Sequence, residues 1–264
     1  MFLKVIACEI AVRELYHTAA RCPNLVDLEF LTQGYHDVPA TGLREIQKRI
    51  DAVPAGKYDA ILLGYGLCSN ILNGITTAHT PLVVPRAHDC ITFLLGSKER
   101  YQSCFQERPG TYYFSSGWLE CATRRGEKSL FLGSGASAPA SLNMNVNYQQ
   151  WVEKYGEDQA KFLIEEMGRW ANAYSHGTLI DFDFTKPLDL EQRVKTICDE
   201  KGWERDRLPG DLRLFEKILA GDWPESEFLT VRPGEKIIAS YDDGIIKAVP
   251  NEPASPNPAE TEKA

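Results

Sequence analysis

Two rhythms of apolar and polar positions alternate along the first half of the chain. Residues 2–7 form a short apolar run that reads as a strand, and residues 9–21 carry Ile10, Leu15 and Ala19 at helical spacing. Residues 26–31 read as a second strand. Residues 41–53 read as a helix capped by Thr41, with Leu43, Ile46 and Ile50 on its inner face. The buried run YDAILL at 58–63 predicts a third strand and residues 81–84 a fourth, followed by loops at 64–70 and 85–89. From Cys90 the pattern predicts one helix to about Phe105, then a fifth strand at 112–114. The alternation predicts an α/β fold, a mostly parallel open sheet with helices on both faces.

The second half is less regular. Residues 133–147 are small and polar, as in a surface loop, and residues 151–173, 188–201 and 212–220 predict helices. Residues 179–184 and 236–240 are strand candidates. From Val249 the chain is rich in proline and charge, as in a disordered tail. The expected organisation is a single α/β domain over 1–250, with a doubly wound core at 1–130, a helical second half at 147–250 and a disordered tail at 251–264.

Composition narrows the class. Of 264 residues, 43% are hydrophobic and 25% charged, the ordinary balance of a globular chain. No run approaches the roughly 18 apolar residues that span a bilayer, and the start lacks the basic region and small-residue cleavage site of a signal peptide. A cytoplasmic location with no membrane partner is expected. The net charge is −8 and the 29 basic residues do not cluster, which argues against a nucleic-acid partner, since such binding rests on neutralising phosphates. No Gly-x-Ser-x-Gly elbow and no glycine-rich phosphate loop are present.

Seven cysteines then become the question. A chain this long needs no disulfide staples, so in a reducing compartment they are thiols. In an open α/β sheet, ligands bind outside the carboxyl ends of the strands. Cys8 ends the first predicted strand, Cys68 lies in the loop after the third, and His88 and Cys90 lie in the turn after the fourth. One buried cysteine is ordinarily packing material; four metal-capable side chains on one edge predict a site. Cys8, Cys68, His88 and Cys90 are the candidate ligands, zinc the expected metal and an iron–sulfur cluster the alternative. Cys90 opens a predicted helix, where the dipole favours thiolate. Asp89 is placed to orient His88, and Arg86 suits an anionic substrate group. Tyr65, Asn70, Tyr112 and Trp118 are the candidate cofactor-binding residues. Cys22, Cys104 and Cys198 lie in or at the ends of helices, while Cys121 follows Trp118 in a predicted loop.

CEIAVRE at 8–14, LLGYGLCSN at 62–70 and PRAHDCITFLLGSKERY at 85–101 resemble domain-of-unknown-function family 1638. PGTYYFSSGW at 109–118 and IASYDDG at 238–244 extend the resemblance over nearly the whole chain, although residues 133–147 depart from the usual pattern. The resemblance implies a single folded unit and places the four candidate ligands in the family's motifs. Members often occur in microbes that use methylated amines through corrinoid-dependent methyl transfer, which implies one-carbon or methylamine metabolism and a corrinoid protein as partner. More locally, His88-x-Cys90 is similar to the metal pair of zinc-dependent thiol methyltransferases, which use a barrel scaffold that this chain's pattern does not form.

Three functions follow as expectations. The first is a zinc-dependent protein acting on a small-molecule substrate, as in methyl transfer to or from a thiol or corrinoid. The second is a metal-free cysteine acid/base enzyme, because Cys68-Ser-Asn70 resembles the strand–Cys–Asn arrangement of amino-acid racemases. The third is a protein that holds an iron–sulfur or corrinoid cofactor. A homodimer is the expected assembly.

Overall fold

A computed structural model describes residues 1–36, 38–124, 152, 156–159 and 174–251. The loop expected at 133–147, most of the helix expected at 151–173 and the tail beyond Asn251 lie outside them. In chain order the described elements begin with β1 (Phe2–Cys8), α1 (Val12–Ala19), β2 (Leu25–Leu31), α2 (Pro39–Asp51), β3 (Ala60–Gly64), β4 (Leu82–Pro85), α3 (Cys90–Leu95) and α4 (Lys98–Glu107). There follow β5 (Thr111–Phe114), α5 (Ser116–Arg124), β6 (His176–Asp181), α6 (Leu190–Lys201), β7 (Glu204–Pro209), α7 (Arg213–Ala220), β8 (Phe228–Val231), β9 (Glu235–Ala239) and β10 (Ile246–Pro250).

The main sheet has the order β2-β1-β3-β4-β8, the first four strands parallel and β8 antiparallel to β4. β3 and β4 are buried throughout and β1 nearly so, which is why they read as apolar runs, whereas the edge strand β2 is only partly covered and carries Asp27 and Glu29. Side chains nonetheless divide by parity. Leu3, Val5, Ala7, Ala60, Leu62 and Val83 pack on one face with Leu15 of α1, Phe93 of α3 and Phe215 of α7. Ile6, Ile61, Leu63, Leu82 and Val84 pack on the other with Ile46 and Ile50 of α2 and Ile237 and Ile246 of the β9–β10 hairpin. The α/β class and the mostly parallel sheet are thus as the alternation predicts.

Several expectations are corrected. The strand at 112–114 does not extend the main sheet: β5 pairs with β6, which pairs with β7, in a separate three-stranded parallel sheet. The fifth place in the main sheet goes to β8, from far along the chain. The described part of the second half holds five strands beside α6, α7 and helical residues at 152 and 157–159, so strands and helices share it. Val249 and Pro250 end β10 rather than starting a tail. The helix expected from Cys90 to Phe105 is two helices, because Gly96 takes a left-handed φ of 78° and the Ser97 side chain caps a fresh start by accepting from Arg100 N at 3.0 Å. α2 begins at Pro39 without a side-chain cap, since proline in the first turn presets the helical φ.

The two sheets meet through α5, which lies against the 3₁₀ turn Glu9–Ala11 and α1. A Cβ on Gly117 would sit 1.8 Å from the Ile10 carbonyl oxygen, so only glycine permits this approach. Ser116 Oγ donates to the buried Glu14 Oε1 at 3.1 Å, and Arg13 pairs with Glu120 through both Nε and Nη2.

Candidate functional site

The strand order reverses between β1 and β3, and at that switch point the carboxyl ends of the strands leave a crevice. A cavity of about 210 Å³ lies there, and Cys8, Cys68 and Cys90 all line it. Cys8 is the last residue of β1, Cys68 follows β3 by four positions, and Cys90 begins α3 after β4. The opposing wall comes from the second sheet and α5, with Tyr112, Tyr113, Ser115 and Trp118. The cavity thus sits where the two sheets face each other.

The loops after β3 and β4 are zipped together. Leu67 N donates to Ala87 O at 2.8 Å and Cys68 N to His88 O at 2.9 Å. A Cβ on Gly66 would meet the Asp89 backbone at 2.7–2.8 Å, so this approach also requires glycine. Cys68, Ser69 and Asn70 then take left-handed φ values of 37°, 56° and 66° in succession. Asparagine tolerates that region, but each such residue costs roughly 1–2 kcal/mol, and strain of this kind gathers at functional sites.

No lysine or arginine lines the cavity among the described residues. His36 does, and burial pulls its pKa down, toward the neutral form. Burial pushes the Cys68 and Cys90 thiols up, and the neighbouring Asp89 and Cys8 push the same way. The expected thiolate at the start of α3 is therefore corrected. The amides there are already taken, Ile91 N and Thr92 N donating to Asp89 Oδ1 at 3.0 and 3.2 Å, so the helix end serves Asp89 and not Cys90.

Other candidates are placed differently from the expectation. His88 is exposed and lines an outer cleft with Lys98, Asp242 and Asp243, on the far side of Asp89 from the thiols. Asp89 does not hydrogen-bond to His88; its free oxygen, Oδ2, accepts from the Tyr101 hydroxyl at 3.1 Å. Arg86 does not line the cavity. Its Nε donates to Glu225 O at 2.7 Å and its Nη1 to Gly244 O and Ile246 O, which clamps the closing hairpin to the end of β4. Asn70 is exposed outside the cavity, whereas Tyr65, Tyr112 and Trp118 line it. Among the described residues no three His, Cys, Asp or Glu side chains gather as a single metal ion would require.

Tyr101 and Tyr113 were not among the candidates, yet both line the cavity, their rings edge to face at 5.7 Å. Tyr101 lies within the 85–101 motif, which was the one signal available; Tyr113 stood in a predicted strand, where an aromatic reads as core. Cys121 lies in α5, not in a loop, buried near Cys90. Glu9 caps the chain after β2, its Oε1 accepting from Gln33 N at 2.9 Å. Cys22 is structural, its Sγ donating to Leu219 O at 3.2 Å.

Fold and site together define an α/β protein with a doubly wound sheet and a thiol-lined cavity at its switch point. Residues 30–219 match the family described as "Protein of unknown function (DUF1638)", and the chain belongs to that family. The matched span holds Cys68, His88 and Cys90, with Cys8 before it and residues 238–244 after it. No curated protein and no solved structure matches the chain.

Proposed function

We propose that Cys8, Cys68 and Cys90 form a three-thiolate site for a soft metal centre, zinc first and an iron–sulfur cluster second, that acts on a small molecule held against the aromatic wall. One observation carries this reading: three thiols from three strand ends line one cavity to which no lysine or arginine among the described residues contributes. Burial and acidic neighbours both oppose ionisation of Cys68 and Cys90. A thiophilic cation supplies the missing positive charge and makes them ligands. The donor set fits in kind but not yet in spacing, so the thiols would draw in on loading. With His88 outside, three protein ligands would leave a position for substrate, as catalytic rather than structural zinc sites do.

Bound zinc would lower the pKa of a substrate thiol, the chemistry of methyl transfer to or from a thiol. A corrin ring far exceeds the cavity, so a corrinoid protein would have to present its methyl group at the mouth. This reading keeps the protein in the cytoplasm, where seven thiols stay reduced. The test is metal analysis of protein purified anaerobically without chelator. Stoichiometric metal in wild type and its loss in Cys68→Ser support the proposal. A site still empty after reconstitution with zinc, and with iron and sulfide, sinks it.

A second reading is favoured by the absence of three converging donors among the described residues. Thiols spread around a cavity, rather than closing on a point, suit metal-free acid/base work on a molecule between them. Alkylation of the native protein should then find one fast thiol and a bell-shaped pH–rate profile. Uniformly sluggish cysteines would exclude it.

A further inference from the structure

The cavity wall also specifies the charge and shape of its occupant. Tyr65 directly follows β3, is 4% exposed, and lines the cavity beside Cys8 and Cys68. Its hydroxyl has no hydrogen-bond partner among the described residues. Buried hydroxyls are nearly always paired, so an orphan at a cavity wall points to a ligand that completes it. Two neighbouring polar groups are already engaged: Tyr101 donates to Asp89 Oδ2, and Trp118 Nε1 donates to the Tyr112 hydroxyl at 2.9 Å. Burial and the adjacent thiols push the Tyr65 pKa far up, so the group stays a neutral donor.

The charges on the wall are of one sign. Asp89 lines the cavity, and no lysine or arginine does so among the described residues. A carboxylate or phosphate brought here would lose its water and meet no described lysine or arginine, while burial draws His36 toward its neutral form. The rings of Tyr101, Tyr112, Tyr113, Trp118 and Phe93 line a space of about 210 Å³, room for a single substituted ring and not for a nucleotide.

We infer that the ligand is a small organic molecule with a flat apolar body and one hydrogen-bond acceptor, a carbonyl in the simplest case, held by the Tyr65 hydroxyl, and that anions are shut out. The inference rests on the cavity being the working site, but not on which metal its thiols hold.

Three probes of one size test it: benzamide, benzoate and toluene, titrated against the full chain by ligand-observed NMR. Benzamide should bind saturably, and benzoate at least about tenfold more weakly. Tyr65→Phe should weaken benzamide by about tenfold, the loss of one hydrogen bond, and leave toluene unchanged. Toluene binding reports that the variant keeps its fold, and the benzamide–benzoate comparison needs no variant. Benzoate binding better than benzamide, an unaltered benzamide affinity in Tyr65→Phe, or no saturable benzamide binding to wild type would each overturn the inference. Metal content of the same samples is read separately. Benzamide binding without metal uptake would fail only the metal centre, and metal uptake without benzamide binding only this inference.

Discussion

The Tyr101 hydroxyl donates to Asp89 Oδ2 at 3.1 Å, and these two side chains form the partition between the thiol cavity and the outer cleft that holds His88. The bond joins α4 to the cap of α3 and so fixes where Cys90 begins. Burial pushes the Asp89 carboxyl up, while the hydrogen bonds from Thr92, Tyr101 and Ile91 pull it down. This carboxylate positions the site and is not available to His88.

Replacing Asp89 should therefore act through the helix start. Asp89→Ala removes the side-chain acceptor for two amides and should lower stability by about 1–2 kcal/mol. Asp89→Asn keeps an acceptor oxygen and should recover most of the loss. Urea unfolding of both variants measures this. An Asp89→Ala midpoint equal to wild type would mean that α3 does not depend on the cap.

Glycine positions should rank by what a Cβ would meet. Gly117→Ala collides with the Ile10 carbonyl at 1.8 Å, and Gly66→Ala with the Asp89 backbone at 2.7 Å. Both contacts are backbone and cannot swing aside, so each should cost about 3 kcal/mol or more. Gly56→Ala has nothing within 4 Å and only its φ of 72° to strain, and should cost about 1 kcal/mol. Thermal unfolding of the three side by side tests the order; a mild Gly117→Ala would contradict the packing of α5 on the 3₁₀ turn.

Glu14 gives the fold a pH dependence. Its carboxyl is fully buried, accepts from Ser116, and leaves Oε2 without a partner among the described residues. Burial raises its pKa from 4.5 to about 7. The folded state therefore holds this proton more tightly than the unfolded chain. Stability conferred by the protonated form is complete below pH 4.5, declines as pH rises through about 7, and is lost above that. The difference is roughly 3 kcal/mol. Glu14→Gln should remove this slope. Denaturant midpoints at pH 5 and pH 8 check it, and an unchanged slope in the variant would assign the dependence elsewhere.

Arg86 holds a strained turn. Ile245 has a φ of 66°, costly for a β-branched residue, and Arg86 Nη1 binds the carbonyls of Gly244 and Ile246 on either side of it. Arg86→Ala should cost about 2 kcal/mol and release the β9–β10 hairpin first. Hydrogen exchange should then show protection lost over residues 235–250 while β1 and β3 keep theirs. Uniform loss across both regions would refute a local clamp.

Much of this was legible in the order of residues. The apolar runs of β1, β3 and β4 announce buried parallel strands, because a strand covered on both faces is apolar at successive positions and so is legible within a few residues. Once those strands are parallel, the residues that end them share one edge, so Cys8, Cys68 and Cys90 are brought together by topology alone. Left-handed geometry at Cys68 and Ser69 had no such signal, since neither residue type favours it and only the zipped loops impose it.

Side-chain direction in the loops, and the pairing of distant strands, came only from tertiary structure. His88 and Cys90 are two positions apart, yet the capped start of α3 turns one to the outer cleft and the other to the cavity. Arg86 is occupied by carbonyls 158 and 160 positions away, and β4 by β8 from the other end of the chain. β5 joins a second sheet and brings the aromatic wall to the thiols. Local pattern sets which residues form strands and where those strands end; long-range packing decides which way each loop side chain faces and what closes over it.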